Sequence, residues 1–155
     1  MDKKENAFSV DRAEDSPGFL LWQVTTMWQR GIKKALDEID ITHPQFVILA
    51  SLLWLARNQQ PVMQIDLSNH SQIDPMTTSQ VIRILEKKLL IVREVHPEDT
   101  RAKAIKLTDQ GSQLTRKAIK IIEQFDNSFF LCLDDRTQHF NKLMIELLST
   151  NTKSK

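Results

Sequence analysis

The stretch that most constrains the fold is residues 83–111, "RILEKKLLIVREVHPEDTRAKAIKLTDQG". It contains two short segments of high β-propensity, 90–95 and 102–107, and Pro97 lies between them where a turn is needed. The remainder of the chain has almost no strand signal, and its 3 glycines and 5 prolines are few, which favours helices. The sequence therefore predicts a mostly α protein with one small β-hairpin.

Two long apolar helices are predicted before this stretch. The first begins after Ser16, a suitable N-cap, and its apolar residues recur at helical spacing through 21–39. The second opens with the capping-box pair Thr42 and Gln45. Residues 46–56 are apolar nearly all round, so this helix is expected to be buried at the centre of the fold.

Two shorter helices are predicted next, at about 63–70 and from the N-cap Asp74 onward. After the hairpin, Thr108 caps a helix to about residue 131, and a last helix covers about 135–149. Adjacent short helices followed by a hairpin give the order of a winged helix-turn-helix, whose second short helix meets base edges.

The predicted domain organisation is one unit, 16–150, behind a flexible N-terminal arm, 1–15. The winged helix-turn-helix, 41–111, lies between dimerisation helices 16–40 and 112–150. The outer helices carry more apolar surface than one small lobe can cover, which predicts a homodimer.

Charge does not identify the partner by its sum. The net charge of the chain is +1, and residues 60–110 contain seven basic and seven acidic side chains. Any binding to nucleic acid must therefore depend on where these charges lie.

Several classes of protein are excluded by absent motifs. The single cysteine, Cys132, cannot form a disulfide or a cysteine zinc site within the chain, and its apolar neighbours favour a buried thiol over a redox sensor, although they leave a redox role open. The four histidines share no metal spacing, so neither a metal nor a cofactor is expected. No nucleophile–base pair or phosphate loop is present, so the chain is not expected to be an enzyme. With no signal peptide and no apolar run long enough to span a membrane, a cytoplasmic protein is expected.

Three segments resemble the MarR family (multiple antibiotic resistance regulators) of bacterial transcription factors, over about residues 17–148. They are "ITHPQFVILASLLWL", "IDPMTTSQVIRILEKKLLIVR" and "PEDTRAKAIKLTDQG". The most specific match is the register of Asp99, Arg101, Leu107, Thr108 and Gly111. Two positions depart from the family pattern: Leu89 stands where glycine is usual, and Gln80 where a basic residue is common.

The resemblance implies a role for particular residues. Arg101 would enter the minor groove, Asp99 would hold Arg101 through a charge-assisted bond, and Lys103 would reach a phosphate. Gln80 would be the best candidate for direct readout of a base, since an amide can bond adenine in a bidentate manner. The side chains expected to face the major groove are Thr77, Thr78, Ser79, Gln80 and Arg83.

The function that the resemblance implies is that of a homodimeric regulator on a pseudo-palindromic operator, a repressor relieved by a small apolar or phenolic effector. Trp22, Trp28 and Trp54 have two interpretations, as core or dimer contacts or as the lining of an effector pocket. A second function stays open, a winged-helix adaptor that binds protein and no longer binds DNA.

Overall fold

The computed structural model describes residues 7–58 and 60–152. These residues form six α-helices and one two-stranded sheet, and the predicted boundaries hold to within a few residues. The mostly α fold with one hairpin is confirmed. The elements are α1 Pro17–Asp37, α2 His43–Leu55, α3 Gln64–Ser71, α4 Pro75–Lys87, β1 Ile91–Val95, β2 Lys103–Leu107, α5 Asp109–Phe129 and α6 Thr137–Thr152.

The helices begin where the capping residues predict. Ser16, Thr42, Asp74 and Thr108 each accept a hydrogen bond from the backbone N–H three residues further on, at 2.9–3.4 Å. The side chain of Gln45 accepts from the backbone N–H of Thr42 at 3.1 Å, which completes the capping box of α2. Each cap satisfies an N–H group that has no partner within its own helix.

Helix α2 lies at the centre of the core and contacts α1, α3, α4, α5 and β2. Ile48, Leu49 and Leu52 on this helix are fully buried. The prediction of burial all round is wrong at the C-terminal end, because Trp54 is 59% exposed there. Its ring is covered on one face by the Arg57 guanidinium, 4.7 Å from the ring centroid.

The hairpin is antiparallel, with Ile91 opposite Leu107 at its base and Val95 opposite Lys103 towards its tip. Ile91 and Ile105 are buried, so the base of the hairpin belongs to the core. The backbone N–H of Ile105 also donates to the Val62 carbonyl at 2.8 Å, which ties β2 to the chain before α3. The tip, in contrast, extends away from the core.

The N-terminal arm lies partly outside the described residues, and its flexibility stays a prediction. Within the described part, Ala13–Asp15 form a short 3-10 turn directly before α1. No described helix combines the length and the apolar character that a membrane span requires.

Candidate nucleic-acid interface

Helix α4 has a buried face and an outward face. The buried face carries Thr78, Val81, Ile82 and Leu85 at positions i, i+3, i+4 and i+7. The outward face carries four residues at the same spacing, each two positions before a residue of the buried face. Their side chains are, in order, apolar, a hydroxyl, an amide and a cation. We call this second set the recognition stripe; its members are Met76, Ser79, Gln80 and Arg83.

The prediction that Thr78 faces the major groove is wrong. Its side chain is fully buried, and its hydroxyl donates to the Ile73 carbonyl at 3.2 Å. The spacing to Val81, Ile82 and Leu85 already places residue 78 on the inward face, so the periodicity contained the correct answer. Thr77 and Ser79 are half-buried on opposite flanks of the helix, while Gln80 and Arg83 are exposed on the outward face.

Asp74 fixes the start of α4. Its Oδ1 accepts from the backbone N–H of Thr77 at 2.9 Å, and Pro75 occupies the first helical position. Hydrogen bonding by the side chain and then the backbone of Thr77 holds the pKa of Asp74 below its ordinary value of 3.8. The Asp74 side chain is therefore ionised at neutral pH, and its negative charge is stabilising at the N-terminal end of the helix.

Helix α4 ends in a paired hydrogen-bond turn. The backbone N–H of Leu90 donates to the Leu85 carbonyl and that of Leu89 to the Glu86 carbonyl, both at 3.0 Å. This is the Schellman pattern, which requires a left-handed residue directly after the helix. Leu89 fills that position with φ of 59°, so a leucine adopts the left-handed conformation that glycine adopts without a Cβ penalty.

Thr108 connects this turn to the next helix. Its hydroxyl donates to the Leu89 carbonyl at 2.7 Å and accepts from the Gly111 N–H at 3.0 Å, while its own N–H donates to the Leu90 carbonyl at 3.1 Å. A Cβ atom at Gly111 would lie only 1.8 Å from the Leu90 carbonyl oxygen. The "LTDQG" motif therefore fixes the end of α4 against the start of α5, and it requires glycine at residue 111.

The tip of the hairpin is closed by side chains that bond to the backbone. Asp99 Oδ1 accepts from the backbone N–H of Arg101 at 2.9 Å. His96 Nδ1 accepts from the N–H groups of Glu98 and Asp99 at 3.2 and 3.3 Å. Asp99 thus holds the main chain of Arg101, and the guanidinium is left free of a carboxylate among the described residues.

Ion pairs divide the seven basic side chains of residues 60–110 into two groups. Three are neutralised: Arg93 by Glu86 and Lys88 by Asp40, both at 3.1 Å, and Lys106 by Glu94. Within the described ranges, four have no carboxylate within 4.0 Å, namely Arg83, Lys87, Arg101 and Lys103. The even sum of charges thus conceals unpaired cations on α4 and on the outer half of the hairpin.

Trp28 joins three helices at the junction between the outer helices and the core. Its Nε1 donates to Asp126 Oδ1 at 2.8 Å, across from α1 to α5. Its ring lies edge-on to His43 of α2, with centroids 5.1 Å apart. Burial lowers the pKa of His43, and the negative charge of Asp126 opposes this effect in part.

The other two tryptophans and the cysteine are exposed in the single chain. Trp22 is 70% exposed on α1, and Trp54 is exposed at the end of α2, so neither is a core residue. The prediction of a buried Cys132 is wrong: it lies exposed in the turn Leu131–Arg136, which packs too little against the core to cover it. Among the described residues, no group of three potential ligands could hold a metal ion.

Comparison with known proteins connects this geometry to a family. The model of the MarR family matches residues 41–103. The Bacillus subtilis protein YdcH, an uncharacterized HTH-type transcriptional regulator, is 44% identical over 115 residues, which cover 74% of this chain and 78% of YdcH. The organic hydroperoxide resistance transcriptional regulator of B. subtilis is 30% identical over 117 residues, or 76% of this chain and 77% of that protein.

Two solved structures share the fold closely. The S. aureus MepR–DNA complex has a TM-score of 0.77 and 26% identity, covering 88% of this chain and 97% of MepR. CouR from Rhodococcus jostii RHA1, bound to p-coumaroyl-CoA, has a TM-score of 0.79 and 25% identity, covering 91% and 95%. The relatives are transcriptional regulators, which confirms that the chain is not an enzyme. By its sequence, its helix-turn-helix and its hairpin, the chain belongs to the MarR family of transcriptional regulators.

Proposed function

We propose that this protein is a homodimeric, sequence-specific repressor that binds a pseudo-palindromic operator and is released by a small apolar or phenolic effector. The observation that carries the proposal is the coincidence of two features. The recognition stripe presents polar and cationic groups opposite a fully buried face of α4. The unpaired cations Arg83, Lys87, Arg101 and Lys103 lie on that helix and on the hairpin beside it.

In the proposed complex, α4 lies in the major groove of each half-site. Gln80 reads adenine through its amide, and Ser79 and Arg83 contact neighbouring base edges or phosphates. The hairpin carries Arg101 into the flanking minor groove, where narrow A·T-rich DNA concentrates negative potential. Lys103, at the outer end of β2 and two residues after Arg101, binds a phosphate.

The proposed dimer is supported by the outer helices. Helix α6 has no buried residue in the single chain, although it carries several large apolar side chains. The N-terminal half of α1 is similarly exposed. A second copy would cover both surfaces and would set the half-site centres about one helical turn of DNA apart. Such a regulator acts in the cytoplasm, where bacterial DNA lies.

Relief by an effector is supported by the relative that carries a ligand. CouR is described with bound p-coumaroyl-CoA, an aromatic acyl compound. In this chain, Trp28 is the one predicted pocket tryptophan that is not mainly exposed, and it lies where α1, α2 and α5 meet. An effector bound there would release DNA only under one condition. It must bind more tightly to the dimer conformation in which the two α4 helices are not spaced to fit the operator. Fluorescence titration with p-coumarate, in the presence and absence of operator, tests this part.

The main experiment selects bound duplexes from a random DNA pool at about 150 mM salt, where non-specific binding is weak. We expect an enriched inverted repeat with A·T-rich flanks. The Arg101→Ala variant should then lose about 1–3 kcal/mol of operator affinity. Lys106→Ala is the matched control, since the Lys106 charge is already paired with Glu94 and its removal should change affinity less.

The salt dependence separates this proposal from a protein-binding adaptor. Operator affinity should fall steeply as the salt concentration rises. In Lys103→Ala, the slope of log affinity against log salt concentration should be smaller in magnitude by about one. A folded dimer that enriches no sequence, with or without p-coumarate, would contradict the proposal and favour the adaptor. An unchanged operator affinity in Arg101→Ala would remove Arg101 from the mechanism.

A further inference from the structure

Met76 is the most exposed large apolar side chain of α4. It is 73% exposed, whereas Ile84, the other exposed apolar residue of this helix, is 43% exposed. Met76 belongs neither to the core nor to the apolar residues packed against it. Exposing a methionine to water on an otherwise polar helix face gives the single chain no stability. Its side chain is therefore available to contact a partner outside the chain.

The position on the helix indicates which partner. Met76 is the first member of the recognition stripe, one turn before Gln80 and two turns before Arg83. It is on the face that the proposed function directs into the major groove. The outer apolar helices α1 and α6 are separate elements, and neither is among the elements in extensive contact with α4.

The local chemistry disfavours a phosphate at this end of α4. The N-cap is the ionised carboxylate of Asp74, which repels another anion. Pro75 has no N–H to donate, and the N–H of Thr77 already donates to Asp74. The first turn of α4 therefore offers an apolar contact and not an anion site.

We infer that Met76 contacts the 5-methyl group of a thymine in the major groove and so specifies one T·A pair in each half-site. This inference rests on the proposed function. Thymine is the standard base that presents an apolar group in this groove. The methionine side chain is flexible and polarisable enough to cover such a group.

The helix geometry predicts where this thymine lies. Residues 76 and 80 are separated by about 6 Å along the helix axis, at 1.5 Å per residue. Base pairs are about 3.4 Å apart, so the thymine is about one or two base pairs from the base that Gln80 contacts. The four stripe residues would thus distinguish neighbouring pairs by different chemistry, apolar at one end and hydrogen-bonding further along.

The test removes single methyl groups from the selected operator. Each thymine is replaced in turn by deoxyuridine, in both half-sites symmetrically, and the affinity is measured for the native protein and for Met76→Ala. We expect one thymine position at which the native protein loses about fourfold in affinity per half-site, the change that corresponds to burying one methyl group. Met76→Ala should lose this effect, while Met76→Leu and Gln80→Ala should keep it.

The outcomes distinguish this inference from the function on which it rests. One outcome is that replacing thymine by deoxyuridine changes the affinity equally for the native protein and for Met76→Ala, at every position of a specific operator. This outcome would overturn the role of Met76 and leave the proposed function standing. The absence of any specific DNA complex would overturn both. Because Met76 is exposed, Met76→Ala should unfold at the same temperature as the native protein, which is measured first.

Discussion

The winged helix-turn-helix and the outer helices differ in how much of their apolar side-chain surface is buried within a single chain. Helix α4 contacts α2 and β1, its residues Ile82 and Leu85 belong to the buried core, and its end is closed by Thr108. In contrast, Leu147 of α6 is 61% exposed, and Leu21 and Trp22 of α1 are likewise exposed. The winged helix-turn-helix supplies most of the buried core within a single chain, while most large apolar side chains of α6 and of the N-terminal half of α1 are left without a cover.

The difference fits the proposed dimer, in which the outer helices would supply the association and the winged helix-turn-helix would hold the recognition helix in a fixed position. A recognition helix needs a fixed position, because base readout depends on side chains held within hydrogen-bonding distance. In the proposed dimer, the exposed apolar surface of the outer helices is what a second copy would bury. Four predictions test this division, from the largest expected effect to the smallest.

The largest effect is expected at the contact between Gly111 and Leu90. Gly111→Ala places a Cβ atom 1.8 Å from a backbone oxygen, so the start of α5 must move away from the end of α4. We expect a loss of about 3 kcal/mol in the free energy of unfolding, as for severe overpacking. Urea unfolding measures it. Gly18→Ala is the control, since nothing lies within 4 Å of that Cβ and the helix should gain slightly.

The second prediction concerns the uncovered surface of α6. Leu147→Glu should raise the dimer dissociation constant by at least about 30-fold, which corresponds to about 2 kcal/mol, because burying a carboxylate without a partner costs several kcal/mol. The fold of the single chain should be retained, since Leu147 is exposed in it. Sedimentation velocity over a concentration series measures the constant. A dimer as stable as that of the native protein would mean that α6 does not supply the interface through this residue.

The third prediction tests the strain at the exit of α4. Leu89→Gly should stabilise the fold by about 1 kcal/mol or slightly less, because glycine adopts the left-handed conformation without a Cβ penalty. Little burial is lost, as Leu89 is exposed. Leu89→Ala is the matched control: it removes the same side chain but keeps the penalty, and it should not stabilise. Equal stability of the two variants would show that the leucine is unstrained.

The smallest effect is a pH dependence at the junction of the two regions. Burial lowers the pKa of His43 from 6.5, so the unfolded chain binds this proton more readily than the folded one. Stability should therefore fall as the pH drops below about 6.5, down to the lowered pKa. In His43→Gln this loss should be smaller. Urea unfolding between about pH 7.5 and 5.5 measures it, and His139→Gln on the exposed face of α6 is the control.

Local features of this protein were predictable because their causes are local. The caps at Thr42, Asp74 and Thr108 depend on side chains three residues from the N–H groups that they satisfy. The hairpin segments were predictable from β-branched residues around Pro97. The recognition stripe follows from helical periodicity. The same periodicity indicates that Thr78 faces inward, as the structure shows, although Thr78 was predicted to face the groove.

Other features could not be predicted from neighbours in the sequence. Cys132 lies between two leucines, yet it is exposed because the turn after α5 lies away from the core. Which cations are free also depends on contacts across the fold: Lys88 reaches Asp40 from a distant part of the chain, and Lys106 meets Glu94 across the hairpin. Among the described residues, Arg101 and Lys103 have no such partner, and both lie in the outer half of the hairpin.

By itself, the sequence determined the order of the elements, their starts and the helix that can meet DNA, since spacing and capping act over three or four residues. The tertiary structure alone decided which side of each element is covered and which charges are neutralised, because burial and ion pairing depend on elements that meet from far apart in the chain. Leu89 illustrates the boundary: the Schellman turn requires a left-handed residue after α4, and the packing of Thr108 and Gly111 holds a leucine there.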